Sequence, residues 1–271
     1  LLQFGRQVKG ELRKLLHPLV ALAVLGIAVG VSLLQVAHDG TPYPGPSMVD
    51  GLGCIRIASL QHATALGFLL AAVVAAASTA SEAASGALTD QLLQEPRRGR
   101  VVLTKLVSMI LCLVGSSALS AVALWVTSIL VRRNGTVLSP VGRSSVASTF
   151  IDLGCSLLVL VLAAVLALVV ALLTRSVFAT IVLVAAIFYL PLTLLQDSIF
   201  WVTPTRWVVE WLHLDPFGEG VDYIADNSPF DQRGLPAAIA GLLIVVAIIG
   251  LTALSRPLVT RAVLRSTEHK V

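Results

Sequence analysis

One polar run stands out between two long apolar stretches: residues 82–105, EAASGALTDQLLQEPRRGRVVLTK. Glu82 opens a small-residue helix that ends at Pro96, and Arg97, Arg98, Arg100 and Lys105 follow. An acid in a first helical turn suits the macrodipole. An arginine cluster beside an apolar stretch suits inner-leaflet phosphates. The same segment also suits a helix that receives a push from a partner. A second pattern is Ser108, Cys112, Ser116 and Ser120, spaced by four on one helix stripe. Such a stripe permits close packing with serine hydrogen bonds, or it forms a weakly polar path for a substrate. Gly26 and Gly30 form a GxxxG, which specifies close helix approach and no chemistry.

Several chemistries are excluded. The chain has no G-x-x-x-x-G-K-[ST], so it lacks a P-loop to cradle nucleotide phosphates. It has no H-E-x-x-H and no G-x-S-x-G. Cys54, Cys112 and Cys155 are odd in number and have no metal spacing, and the histidines are scattered. The apolar stretches hold almost no ionisable groups, which argues against a proton- or sodium-coupled carrier. Energy for uphill transport must then come from another protein. No feature suggests a nucleic-acid partner.

The elements that must position these residues follow from hydropathy. Of 271 residues 56% are hydrophobic and only 13% charged, and the mean hydropathy is +0.91. Globular domains carry about 25% charged residues. The deficit predicts an all-α membrane protein. With about 20 residues per crossing, six spans fall near 18–37, 60–80, 102–131, 151–173, 177–196 and 236–255. A basic start before an apolar stretch also resembles a signal peptide, but no cleavage site with a soluble domain follows. With the N-terminus inside, 13 of the 19 Lys and Arg residues lie on the inner side. Six spans with both termini cytoplasmic satisfy the positive-inside rule.

Residues 1–16 form an amphipathic helix, with Leu1, Phe4, Val8, Leu12 and Leu15 in one sector. Arg6, Lys9, Arg13 and Lys14 lie off it, as in a helix resting on the inner membrane interface. Glu11 is a misfit beside the apolar sector, unless it faces protein. Residues 197–235 form an external segment with Trp201, Trp207 and Trp211. Short re-entrant or interfacial helices broken at Pro204 and Pro216 are expected there.

This arrangement resembles the ABC-2 type permeases, the membrane subunits of ATP-driven exporters. Four features carry the resemblance. VKGELRKLLHP resembles the family's elbow helix, here with Glu11, Arg13 and Lys14. Residues 81–105 resemble its run of Glu, Gly, Leu, Pro-Arg and Lys, here Glu82, Gly86, Leu88, Pro96, Arg97, Arg98 and Lys105. The others are the six spans and the external segment between the fifth and sixth. The resemblance implies one transmembrane domain over 1–271, with residues 82–96 as a cytoplasmic coupling helix that docks on a separate nucleotide-binding ATPase subunit. ATP and Mg would belong to that partner, and this chain would be neither an enzyme nor a cofactor carrier. It implies a plasma-membrane location and a second permease copy or paralogue, with Gly26, Gly30 and Phe188 as the candidate seam. Ser108, Cys112, Ser116 and Ser120 are the candidate substrate path. The cargo would be a hydrophobic or amphipathic compound, such as a drug, antibiotic, lipid or peptide. The alternative is a non-transporting scaffold or assembly factor that binds membrane lipid or a soluble partner.

Overall fold

The computed structural model describes residues 2–15, 17–39, 51–63, 65–95, 98–133, 146–194, 207, 208, 211 and 237–268. Helices make up every described element: α1 (Leu2–Leu15), α2 (Pro18–Asp39), α3 (Gly51–His62), α4 (Ala65–Ala75), a π-helical stretch (Ala76–Ala80), α5 (Ser81–Ser85), α6 (Ala87–Gln94), α7 (Arg98–Arg133), α8 (Val146–Thr174), α9 (Val177–Leu194) and α10 (Ala237–Glu268). Three helical stretches are long and apolar enough to cross a membrane: Leu66–Ser85, Gly99–Thr127 and Thr149–Thr174.

α8 is the central helix. From Val159 to Leu172 it is buried almost all round, as its uniformly apolar sequence requires. α3, α4, α9 and α10 pack against it. Ala71, Ala72, Ala75 and Ala76 keep α4 and the π-helical stretch thin where they meet α8 and α9. Small side chains let helix backbones approach in this way. α7 is more peripheral, with 33% of its most apolar window buried against 67% for α8.

The predicted stretch 60–80 is corrected. The helix starts earlier, at Gly51, breaks between His62 and Ala65, and then runs on to Ser85. The break is a close approach that hydropathy does not encode. A Cβ on Gly67 would lie 1.6 Å from the His62 carbonyl oxygen. The π-helical stretch follows, with Ser78 Oγ donating to the Val74 carbonyl at 2.9 Å. The expected helix 82–96 is also divided. Gly86 adopts φ 81°, a left-handed conformation that suits glycine. Glu82 therefore lies in the last turn of the long helix, which ends at Ser85, and α6 begins anew beyond Gly86. The external segment 197–235 lies outside the described residues except for Trp207, Val208 and Trp211. Val208 is buried, and Trp211 Nε1 donates to the Cys155 carbonyl of α8 at 3.3 Å.

Two ion-pair layers mark the opposite ends of the bundle. At one end Glu82 of α5 meets Lys105 near the start of α7. At the other, Arg56 of α3 pairs with Asp152 of α8. The late part of α7 lies beside the early parts of α3 and α8, so α7 runs antiparallel to both.

Candidate functional site

α1 shows how the sequence builds the site. Its apolar sector packs inward, with Leu15 buried and Val8 half-buried, while Arg6, Lys9 and Arg13 are exposed. Glu11 sits on the packed side at 7% exposure. The misfit is resolved because Glu11 faces protein. Its Oε2 lies 3.1 Å from Lys105 Nζ and its Oε1 2.8 Å from Lys14 Nζ. Glu82 offers its two oxygens to the same two ammoniums, 2.6 Å from Lys105 and 2.6 Å from Lys14. The four groups close a ring of alternating sign: Lys105, Glu11, Lys14, Glu82.

This ring joins three elements that are far apart in sequence. Lys105 is only 3% exposed, so each carboxylate is a necessary counter-charge for it. Further bonds tie α1 to α6 and α7. Gln91 Nε2 donates to Glu11 at 3.3 Å, Gln7 Nε2 donates to Glu95 at 2.9 Å, and Ser108 Oγ reaches the Val8 carbonyl at 3.5 Å. Arg100 stands 3.9 Å from Glu95. A cavity of about 390 Å³ adjoins the ring, lined by Gln7, Glu11, Gln91, Glu95 and Thr104 among others. Gln7 Oε1 is buried there without a partner among the described residues.

The ring's electrostatics follow from its geometry. Burial pushes the Glu11 carboxyl up, but Lys105 and Lys14 outweigh it and hold it below its ordinary 4.5. Burial pulls the Lys14 ammonium down, but its bonds to Glu11 and Glu82 outweigh that and hold it above 10.5. A carboxyl with a depressed folded value contributes stability that is complete above its unfolded value. That stability is lost as pH falls through the folded value. Glu11 therefore protects the α1 contact fully above about pH 4.5, and the protection fades on further acidification. The Lys14 contribution is complete below 10.5 and fades as pH rises through its higher folded value. Thermal unfolding across the acid range checks this. Glu11→Gln is expected to flatten the acid-side loss, and an unchanged acid limb in that variant contradicts the assignment.

Other expected site residues fall elsewhere. Leu88 is buried with Leu92 on the inner side of α6, while Leu93 is 65% exposed on the outer side. Lys105 lies within α7, two turns in from its start, and faces the ring. Pro96 and Arg97 lie outside the described residues, as does the side chain of Arg98. Lys14 belongs to the ring, while Arg13 is exposed.

The serine stripe is turned into protein. Ser108, Ser116 and Ser120 are buried and Cys112 is half-buried. Ser108 Oγ donates to the Thr104 carbonyl at 2.8 Å and Ser116 Oγ to the Leu113 carbonyl at 2.7 Å. The hydroxyls of Ser108 and Ser116 are thus spent on the helix backbone. The open side of α7 is instead the one carrying Val114, Ser117, Ala118, Ala121, Val122 and Trp125, which lines an apolar cavity of about 830 Å³ with α3 and α8. Phe188 packs inside the chain. It is 2% exposed and its ring stacks on Phe68 with centroids 4.3 Å apart. Gly26 and Gly30 have no neighbour within 4 Å of a built Cβ and leave that face of α2 open.

Sequence reasoning overlooked Gln7, Gln91, Glu95 and the Arg56–Asp152 pair. One signal was present: Gln7, Glu11 and Lys14 recur at helical spacing, a polar stripe against the apolar sector.

Among the described residues these features define an all-helical fold with three helices long and apolar enough to cross a membrane. Residues 25–211 match the family described as protein of unknown function (DUF2705), and the chain belongs to that family. No curated protein and no solved structure matches it.

Proposed function

We propose that this chain is the membrane subunit of an ATP-driven exporter, coupled to a separate ATPase subunit. The observation that carries the reading is the closed charge ring. It binds α1, the end of the α3–α5 helix run and α7 at one end of the bundle. A push on α6 is therefore delivered to three helices together. Rigid-body rocking of packed helices is an established route to alternating access.

In this reading the ring end is cytoplasmic and α1 is an elbow helix in the inner interface. α2, the α3–α5 run, α7, α8, α9 and α10 are six spans, with short re-entrant helices before the last. The chain acts in the plasma membrane beside a second copy or paralogue. ATP and Mg²⁺ reside in the partner, and the cargo is hydrophobic or amphipathic. α6 carries the partner contact. Asp90, Leu93 and Gln94 are exposed, and Leu93 is a large apolar residue on an otherwise polar outer side. Burying its exposed apolar surface against a partner would favour association.

The test is co-purification of an ATPase with the full chain, and ATP hydrolysis stimulated by it. Leu93→Arg is expected to weaken that association about tenfold, or ~1.4 kcal/mol, with thermal stability unchanged. Retention of biological activity with no associated ATPase would sink the exporter reading and favour a scaffold.

A further inference from the structure

The apolar cavity lies away from the charge ring, and the coupling reading does not use it. It is a groove of about 830 Å³ between α3, α7 and α8, within the ~300–1,000 Å³ of small-molecule sites. Its walls include Ile55 of α3, Val114, Val122 and Trp125 of α7, and Leu153 and Leu157 of α8. Each of these six is at least 40% exposed. Ser156 also lines the groove, at 1% exposure, and its hydroxyl has no hydrogen-bond partner among the described residues. Neighbouring Ser59 is different, because its hydroxyl already donates to the Arg56 carbonyl at 2.8 Å. A buried hydroxyl left unpaired carries a desolvation cost, so a ligand that accepts from it gains more than an exposed contact would give.

We infer that this groove holds one acyl chain of a bilayer phospholipid, with the Ser156 hydroxyl donating to that lipid's ester carbonyl. Three observations select this occupant. The first is length. Val114 to Trp125 spans eleven residues of α7, about 16 Å, and one leaflet of hydrocarbon is about 15 Å deep. The second is the order of polarity along the groove. The Arg56–Asp152 pair stands at its rim, and Ser156 lies one turn further along α8, about 6 Å deeper. Charge at the rim, then the unpaired Ser156 hydroxyl, then a wall that is apolar apart from Ser117 follows the order of headgroup, ester and chain in a phospholipid. The third is Trp125, which is 45% exposed at the rim end, where tryptophans favour the headgroup level. The inference rests on these helices lying in a bilayer and is independent of any ATPase.

The full chain is reconstituted in phosphatidylcholine vesicles that carry a fraction of a phospholipid with a photoreactive group in one acyl chain. Resistance to alkaline extraction is measured separately. Extraction would overturn the bilayer reading together with the site. After irradiation, labelled residues are mapped by mass spectrometry. Labelling is expected to concentrate on Ile55, Val114, Val122 and Leu157, several-fold above the exposed Leu242 and Ile249 of α10. Ser156→Ala is expected to lower groove labelling about fivefold without lowering thermal stability, because its hydroxyl has no partner among the described residues. Ser117→Trp fills the groove and should abolish groove labelling while sparing α10. A photoreactive alkane without ester or headgroup should label the groove less and ignore Ser156→Ala. Equal labelling of groove and α10 overturns the proposal. So does indifference to both substitutions, or a crosslink between two copies in place of lipid.

Discussion

Lys105→Met is expected to destabilise the protein by about 3–5 kcal/mol, the cost of stripping one partner from a buried ion pair. That corresponds to a fall in melting temperature on the order of 10 °C. Lys105 is 3% exposed and lies within 3.1 Å of both Glu11 and Glu82. Without it, two carboxylates share one half-exposed lysine, Lys14. The effect should be strongly non-additive. Glu11→Gln and Glu82→Gln added to Lys105→Met remove the uncompensated charges and should restore most of the loss. Thermal unfolding of the parent, the Lys105→Met variant and the triple variant in detergent decides the matter. A single Lys105→Met variant as stable as the parent would show that the ring is not what holds α1 to the bundle.

Gly67→Ala should be nearly as damaging, for a steric reason. The added Cβ would meet the His62 carbonyl oxygen at 1.6 Å and its carbon at 2.8 Å. Both are backbone atoms at the α3–α4 break, so no rotamer change relieves the overlap. The expected cost is at or above about 3 kcal/mol, the upper end of ordinary overpacking. Gly115→Ala in α7 is the natural control, since nothing lies within 4 Å of its built Cβ. There alanine should be neutral or stabilising by up to about 1 kcal/mol. If the two variants behave alike in thermal unfolding, the close approach at the break is wrong.

These two residues show what the sequence made legible and what it hid. Helices occupy the apolar stretches because hydropathy and length report on the chain locally. α2 at Pro18–Asp39 and α9 at Val177–Leu194 lie close to the expected limits. Glu11 was legible as an anomaly, because a carboxylate beside an apolar sector must find a counter-charge. Which counter-charge it finds was not legible, since Lys105 is 94 residues away and only packing brings it near. The break before Gly67 was hidden for a related reason. An LGF inside an apolar run reads as ordinary helix, and the need for glycine arises from the carbonyl lying against it. The serine stripe was seen correctly as a stripe, but its direction depends on which neighbours α7 acquires. Phe188 turned inward for the same reason, drawn to Phe68.

The π-helical turn at Ala76–Ala80 has a consequence for the charge ring. A π turn places one more residue in the coil than an α turn does. Each residue advances an α-helix by about 100°. The surplus residue therefore resets the azimuth of everything that follows it, and Glu82 comes two residues after the turn ends. Wound as regular α-helix, the same chain would aim Glu82 roughly a quarter of a turn or more away from Lys14 and Lys105. The small alanines of this stretch thus act as a phase adjuster: the wide turn dials the carboxylate onto its two ammoniums. A relaxation of that one turn to regular helix would swing the acid out of the ring.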